Sequence, residues 1–135
     1  MTKPVAVPPD AERVAIDYLV PALLSRSQDV TVGVNVPTAW VKGTKPHVQV
    51  ALDGTPEVQY PIMWRASVRF TIWHDSTTTA KALAVLVQAI MCAHPGSTQV
   101  ASVQPLTGVL PALDPDTKAQ LASVSVRMNL LGQLV

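Results

Sequence analysis

Between Thr78 and His94 the sequence holds a helix-length segment that is apolar around most of its circumference. At 100° per residue, Ala80, Leu83, Ala84, Val87, Ile90 and Met91 form a central stripe, and Ala82, Leu86 and Ala89 widen it. Only Lys81 and Gln88 share a polar strip. Side-chain oxygens in Asp75-Ser76-Thr77 suit the free N–H groups of the helix start, and Pro95-Gly96 stops it. Such a helix needs cover on two sides. One small sheet supplies only one of them, so the second must come from another helix or another subunit.

The chain has 135 residues, which suits one core, and we read 1–9 as an N-terminal arm and 10–135 as one α+β domain. Hydrophobic residues make up 48% and charged residues 14%; ordinary domains carry about 25% charged side chains. A surface so poor in charge implies that part of it is covered in the working state. Net charge is +1, which gives no overall pull toward nucleic acid or anionic lipid. The first nine residues have no apolar h-region and contain three prolines, so neither export nor an early helix is expected. The longest apolar stretch, Ala82 to Ala93, falls short of the roughly 20 residues that cross a bilayer, and no membrane partner is expected. One cysteine, Cys92, leaves no intramolecular disulfide and no CxxC site.

Asp10 caps a first helix with Ala11, Val14, Ala15, Tyr18 and Ala22 on one side and an Arg13–Asp17 pair on the wet side; Pro21 is expected to kink or stop it near Val20. The period then changes to two. Strands are expected at Val30–Val36, His47–Leu52 with a turn at Asp53-Gly54, and Arg65–Trp73 with Ala66, Val68, Phe70 and Ile72 on the inner face. After the Thr78–His94 helix come strands at Thr98–Val103 and Ala122–Leu130, separated by a long connector, Gln104–Gln120. The order is α-β-β-β-α-β-β. The fold class is α+β, with a mixed, mainly antiparallel sheet of about five strands covered by two helices.

No glycine-rich phosphate loop is present, and His47, His74 and His94 are spaced too far apart to form a ligand motif. The carboxylates sit at turns and helix starts, where they serve local hydrogen bonding. No catalytic residue, cofactor site or metal site is expected. Trp40 and Trp64 lie in or beside Pro-rich loops and Trp73 projects from the outer face of its strand, so each is either a core residue or an interface anchor. Arg65, Arg69 and Arg127 occupy the polar faces of strands. If those strands are neighbours, the three make a basic stripe that is either solvated, a salt-bridging subunit surface or a weakly DNA-facing wall.

The run Asp10-Ala11-Glu12-Arg13-Val14 into Tyr18-Leu19, the valine-alternating Val30 to Pro37, Pro46 to Leu52, and an arginine-bearing strand into Trp73-His74-Asp75 stand in a distinctive order. An Ala-rich helix and a late Pro/Gly excursion before the closing strand follow. Over residues 10 to 131 this phrase order resembles the tail terminator (tail completion) proteins of long-tailed, non-contractile phages, particularly those infecting actinobacteria. The resemblance implies a virion structural protein at the head-tail junction, assembled in the host cytoplasm. It implies a homo-oligomer, a hexameric ring, that caps the tail tube protein, stops tube polymerisation and meets the head-tail connector protein, with DNA passing through the lumen without sequence-specific binding. It carries over no catalytic residue.

Two alternatives stand beside it: another head-tail junction ring, such as a head-closure or connector protein, and a small-molecule-binding or enzymatic α+β domain. A ring needs a closing heterologous interface. The candidates are the uncovered side of the second helix and the segments around Trp40, Trp64 and Leu110; a charge introduced at Leu110 or Trp64 is expected to harm assembly more than folding.

Overall fold

The computed structural model describes residues 4–37, 40–41 and 43–135, apart from the side chains of Thr55 and Pro56. Met1–Lys3 of the arm, and Thr38, Ala39 and Lys42 of the loop after the first long-sheet strand, lie outside the described residues. The elements are β1 (Ala6–Val7), α1 (Ala11–Ser25), β2 (Thr31–Gly33), β3 (His47–Gln59), β4 (Met63–His74), α2 (Thr77–Cys92), β5 (Val100–Leu113), β6 (Gln120–Leu131) and β7 (Gln133–Leu134). The main sheet has the order β2-β3-β4-β6-β5; β2 runs parallel to β3 and every other pairing is antiparallel. Both helices lie on one face, α1 against β3 and β2, and α2 against β6, β5 and β4. The expected α+β architecture is therefore the observed one.

The inner face of β4 is Trp64, Ala66, Val68, Phe70 and Ile72, and that of β6 is Ala122, Val124, Val126, Met128 and Leu130, all buried. These ten side chains are the floor on which the helices rest. From α2 they receive Ala80, Leu83, Ala84, Val87, Ile90 and Met91, the stripe read from the sequence. The second cover that α2 requires comes in part from α1, which packs alongside it. Tyr18, in the middle of α1, and His94, just beyond α2, bring their rings to 4.4 Å. Ser76 caps α2 by accepting from Thr79 N–H, and Asp10 caps α1 by accepting from Glu12 and Arg13 N–H.

Several expectations change. Pro21 does not end α1, which continues to Ser25. Its buried stripe is Ala11, Ala15, Leu19 and Leu23, rotated from the expected one, and the burial of Leu23 holds the last turn while the proline ring sits exposed on the outside. Strand β2 is only three residues long because the chain bends at Val34 and Asn35.

Asp53-Gly54 does not close β3. Gly54, at φ 75°, lies in a bulge where the register with β4 shifts, and the ribbon continues to a turn at Gln59–Ile62 that contains the cis Tyr60–Pro61 bond.

The largest correction concerns Gln104–Gln120. Most of it is not a connector but the second half of β5, which pairs with β6 as far as Leu113↔Gln120 through three register shifts. Pro105 and Pro111 are tolerated because β5 is an edge strand and the shifts relieve its ladder. The arm is also partly structured, since β1 pairs with β7 and Tyr60 Oη both accepts from Ala6 N–H and donates to the Pro4 carbonyl.

Gly132 passes so close beneath the β3–β4 turn that a Cβ would fall on the Pro61 carbonyl and within 2.8 Å of Trp64 Cζ3. Gly132→Ala is therefore expected to lower unfolding free energy by about 1–3 kcal/mol, the usual penalty of forced overpacking. Pro21→Ala, which restores an intrahelical donor on an exposed turn, is expected to shift stability upward by about 1 kcal/mol or more. Urea titrations followed by circular dichroism check both signs.

Candidate interaction surfaces

The face of the main sheet opposite the helices carries the odd-numbered residues of β4 and β6. In register, Arg65 faces Asn129, Ser67 faces Arg127, Arg69 faces Ser125, Thr71 faces Ser123 and Trp73 faces Leu121. The two strands are neighbours, so the structure brings Arg65, Arg69 and Arg127 together around Ser67. On the β3 side, Glu57 lies 3.5 Å from Arg65 and Asp53 lies 3.8 Å from Arg69, long contacts between half-exposed groups that are worth about 0–1 kcal/mol each. Among the described residues no carboxylate is within ion-pair distance of Arg127, whose β5 neighbour is Gln104.

The small side chains between the arginines are held by one another. Thr107 and Ser125 share a hydroxyl hydrogen bond of 2.7 Å, and Asn129 Nδ2 donates to Ser102 Oγ at 2.7 Å.

The other end of this face is aromatic. Trp73 is half-buried and stands edge-on to Trp40 at 5.9 Å, with its Nε1 donating to Gln49 Oε1. Trp40 is 2% exposed and its Nε1 donates to the Lys45 carbonyl, and Trp64 is 7% exposed beneath the arm, in edge contact with Tyr60. The choice left open by the sequence thus falls on core packing for Trp40 and Trp64. Neither is an accessible anchor, because the loop before β3 folds back over Trp73 and the arm closes over Trp64. A charge at Trp64 would damage the subunit itself.

Leu110 behaves differently. It is 62% exposed on the free edge strand, with Leu106 and Leu113 exposed on either side of it along β5. On α2 the uncovered side carries Lys81, Ala82, Val85 and Ala89, and Val85 is its one exposed large apolar residue. A cleft of about 300 Å³ opens between Pro8, Pro9, Leu52, Trp64, Ala66 and Leu130; Asp10, which also lines it, is occupied as the α1 cap, and nearby Glu12 accepts from Leu52 N–H.

The titratable groups are structural in character. His47 is buried, its Nδ1 sits 2.6 Å from Thr31 Oγ1, and its Nε2 has no hydrogen-bond partner among the described residues. Burial holds its pKa below the ordinary imidazole value, with the Asn35 carbonyl pulling the other way. His94 is also lowered by burial, and its Nδ1 accepts from Gly96 N–H, a bond that protonation would break. Burial pushes the Cys92 thiol up, away from the reactive thiolate. Among the described residues no three His, Cys, Asp or Glu side chains are grouped to hold a metal ion, and no helix is long and apolar enough to cross a membrane.

No family model matches the chain, and no curated protein sequence matches it. Among solved structures, it is similar to a chain described as "Virion of native gene transfer agent (GTA) particle". The TM-score is 0.56 at 17% identity, and the match covers 92% of this chain and 87% of that one. At that identity the likeness is one of fold, extending over nearly the whole of both chains.

The histidine environments set a pH dependence. Both folded-state pKa values lie below the unfolded value of about 6.5. The unfolded chain therefore binds more protons as pH falls through that value, and stability that is complete above it declines below it. Unfolding free energy is expected to drop between pH 7 and pH 5, and the double substitution His47→Gln/His94→Gln to flatten that slope, as read from urea midpoints across the range.

Proposed function

We propose that the chain is a non-enzymatic virion structural subunit and, within that class, a tail terminator: a ring that caps the tail tube, ends its polymerisation and joins the head-tail connector. The observation that carries this reading is the fold shared almost end to end with a chain of a virion particle. The phrase order of residues 10 to 131 supports it independently, as do a charge-poor surface and an edge strand that exposes Leu106, Leu110 and Leu113. The small-molecule reading has less behind it, because the apolar cleft under the arm presents no converging polar groups.

A ring subunit needs one patch that meets a different patch on the next copy. The β5 edge supplies one such patch, and the outer side of α2 around Val85 or the exposed β3–β4 turn at Tyr60 and Ile62 supplies a second.

Removing the protein from an infecting phage is expected to give tubes of uncontrolled length that never join heads, seen by negative-stain microscopy. Tubes of normal length that lack only heads would instead assign it to the connector side of the junction. Leu110→Asp is expected to leave the melting temperature within about 2 °C, as is usual for exposed positions, while abolishing the annulus at the tube end. A Leu110→Asp protein that still caps tubes would remove β5 from the interface.

A further inference from the structure

We infer that the open sheet face around Ser67 is a contact surface for the phosphate backbone of duplex DNA; this assignment rests on the ring reading and names the wall that faces the lumen. The helices cover one side of the sheet; on this side the Trp40 loop covers the Trp73 end and Ser125 and Asn129 are buried, while Arg65 and Arg69 stand exposed. Its centre is built from Arg65 and Arg69 on β4 and Arg127 on β6, opposite Ser67.

Four residues of strand separate Arg65 from Arg69, about 13 Å at 3.3 Å per residue, and Arg127 stands midway on a strand about 4.8 Å to the side. One DNA strand rises about 3.4 Å per nucleotide along the helix axis, and its backbone winds as it rises, so successive phosphates lie farther apart than that and the trio spans about three phosphates of one strand. Guanidinium groups suit this partner because they present paired donors to phosphate oxygens and remain charged at every working pH. Neutral hydroxyls of Ser67 and Thr71 lie on the same face and offer further donors.

Asp53 and Glu57 border the surface and leave it one positive charge in excess per subunit. That balance fits passage better than capture. The two carboxylates hold Arg69 and Arg65 only at 3.8 and 3.5 Å, so each arginine can exchange its carboxylate for a phosphate at little cost. Arg127 has no such competitor among the described residues and makes the strongest single contact. The flat, small-residue floor carries no side chain shaped to enter a groove, so the surface reads charge and not sequence.

The test uses the full chain and a fluorescein-labelled 20-base-pair duplex, with anisotropy measured from 50 to 200 mM NaCl. Three released counterions predict a slope of log K against log salt near −2.7. Each of Arg65→Gln, Arg69→Gln and Arg127→Gln is expected to reduce its magnitude by about 1, with Arg127→Gln losing the most affinity. Arg13→Gln, on the helix side, is expected to change nothing.

An absence of binding at 50 mM salt would overturn the assignment, as would an equal loss from Arg13→Gln. The triple arginine variant is then examined on tube ends. Normal rings with weakened DNA binding support the assignment. Rings lost together with the arginines would make the face a subunit contact, overturning the DNA assignment and leaving the ring reading intact. Tubes that the unaltered chain never caps would overturn that reading itself.

Discussion

The pairing of β4 with β6 is the constraint on which the rest of the molecule depends. Their ladder runs from Met63↔Leu131 to His74↔Gln120 without a register shift, whereas the pairings of β3 with β4 and of β5 with β6 are both interrupted. Because side chains alternate across a strand, an unbroken register assigns every residue of both strands to a face. One face becomes the greasy floor under α1 and α2, and the other becomes the arginine and serine surface. A slip of one residue would exchange the two, placing Arg65, Arg69 and Arg127 under the helices at a desolvation cost no local contact offsets. The irregularities are displaced to the outer strands, where a bulge disturbs only one neighbour.

Much of this was legible from local pattern. The alternation of Ala66, Val68, Phe70 and Ile72 against Arg65, Ser67, Arg69 and Thr71 identifies an amphipathic strand, and the period of Ala80 to Met91 identifies the buried stripe of a helix, although Ala82 and Ala89, expected to widen it, are exposed. What escaped depends on position in the sheet. Pro105, Gly108 and Pro111 read as a connector because proline is excluded from a central ladder, yet an edge strand with register shifts accommodates them. Gly54 signals a hairpin turn and a bulge equally well, and only the partner strand decides between them. The β1–β7 pair joins residues from opposite ends of the chain and leaves no local signature. Pro21 shows packing overriding propensity, since the burial of Leu19 and Leu23 on both sides of it carries the helix through.

The candidate surfaces divide in the same way. That Arg65, Arg69 and Arg127 lie on outward faces follows from alternation alone; that they meet required β4 and β6 to be adjacent, which no single strand encodes. The tryptophans were undecidable locally because a large aromatic in a Pro-rich loop serves either as a lid or as an anchor. Trp40 turns out to be a lid over Trp73, and Trp64 a core residue of the sheet's inner face lying under the arm. The indole N–H of Trp40 is satisfied by a backbone carbonyl within its own loop, which removes any need for a partner's acceptor.

The form of the β5 edge bears on how copies meet. A long, flat, regular edge would invite continuous backbone pairing and open-ended growth. Here Pro105 and Pro111 delete two backbone donors, and the shifts around Thr107 break the ladder further, while Leu106, Leu110 and Leu113 remain exposed. Gln88 of α2 reinforces the irregularity by donating to the carbonyls of Thr107 and Ser125, locking the bulge to the helix layer. Such an edge is poor at hydrogen-bonded augmentation and well suited to side-chain contact at a defined angle. The geometry of such a contact is set by where three leucines seat and not by a ladder that accepts any strand.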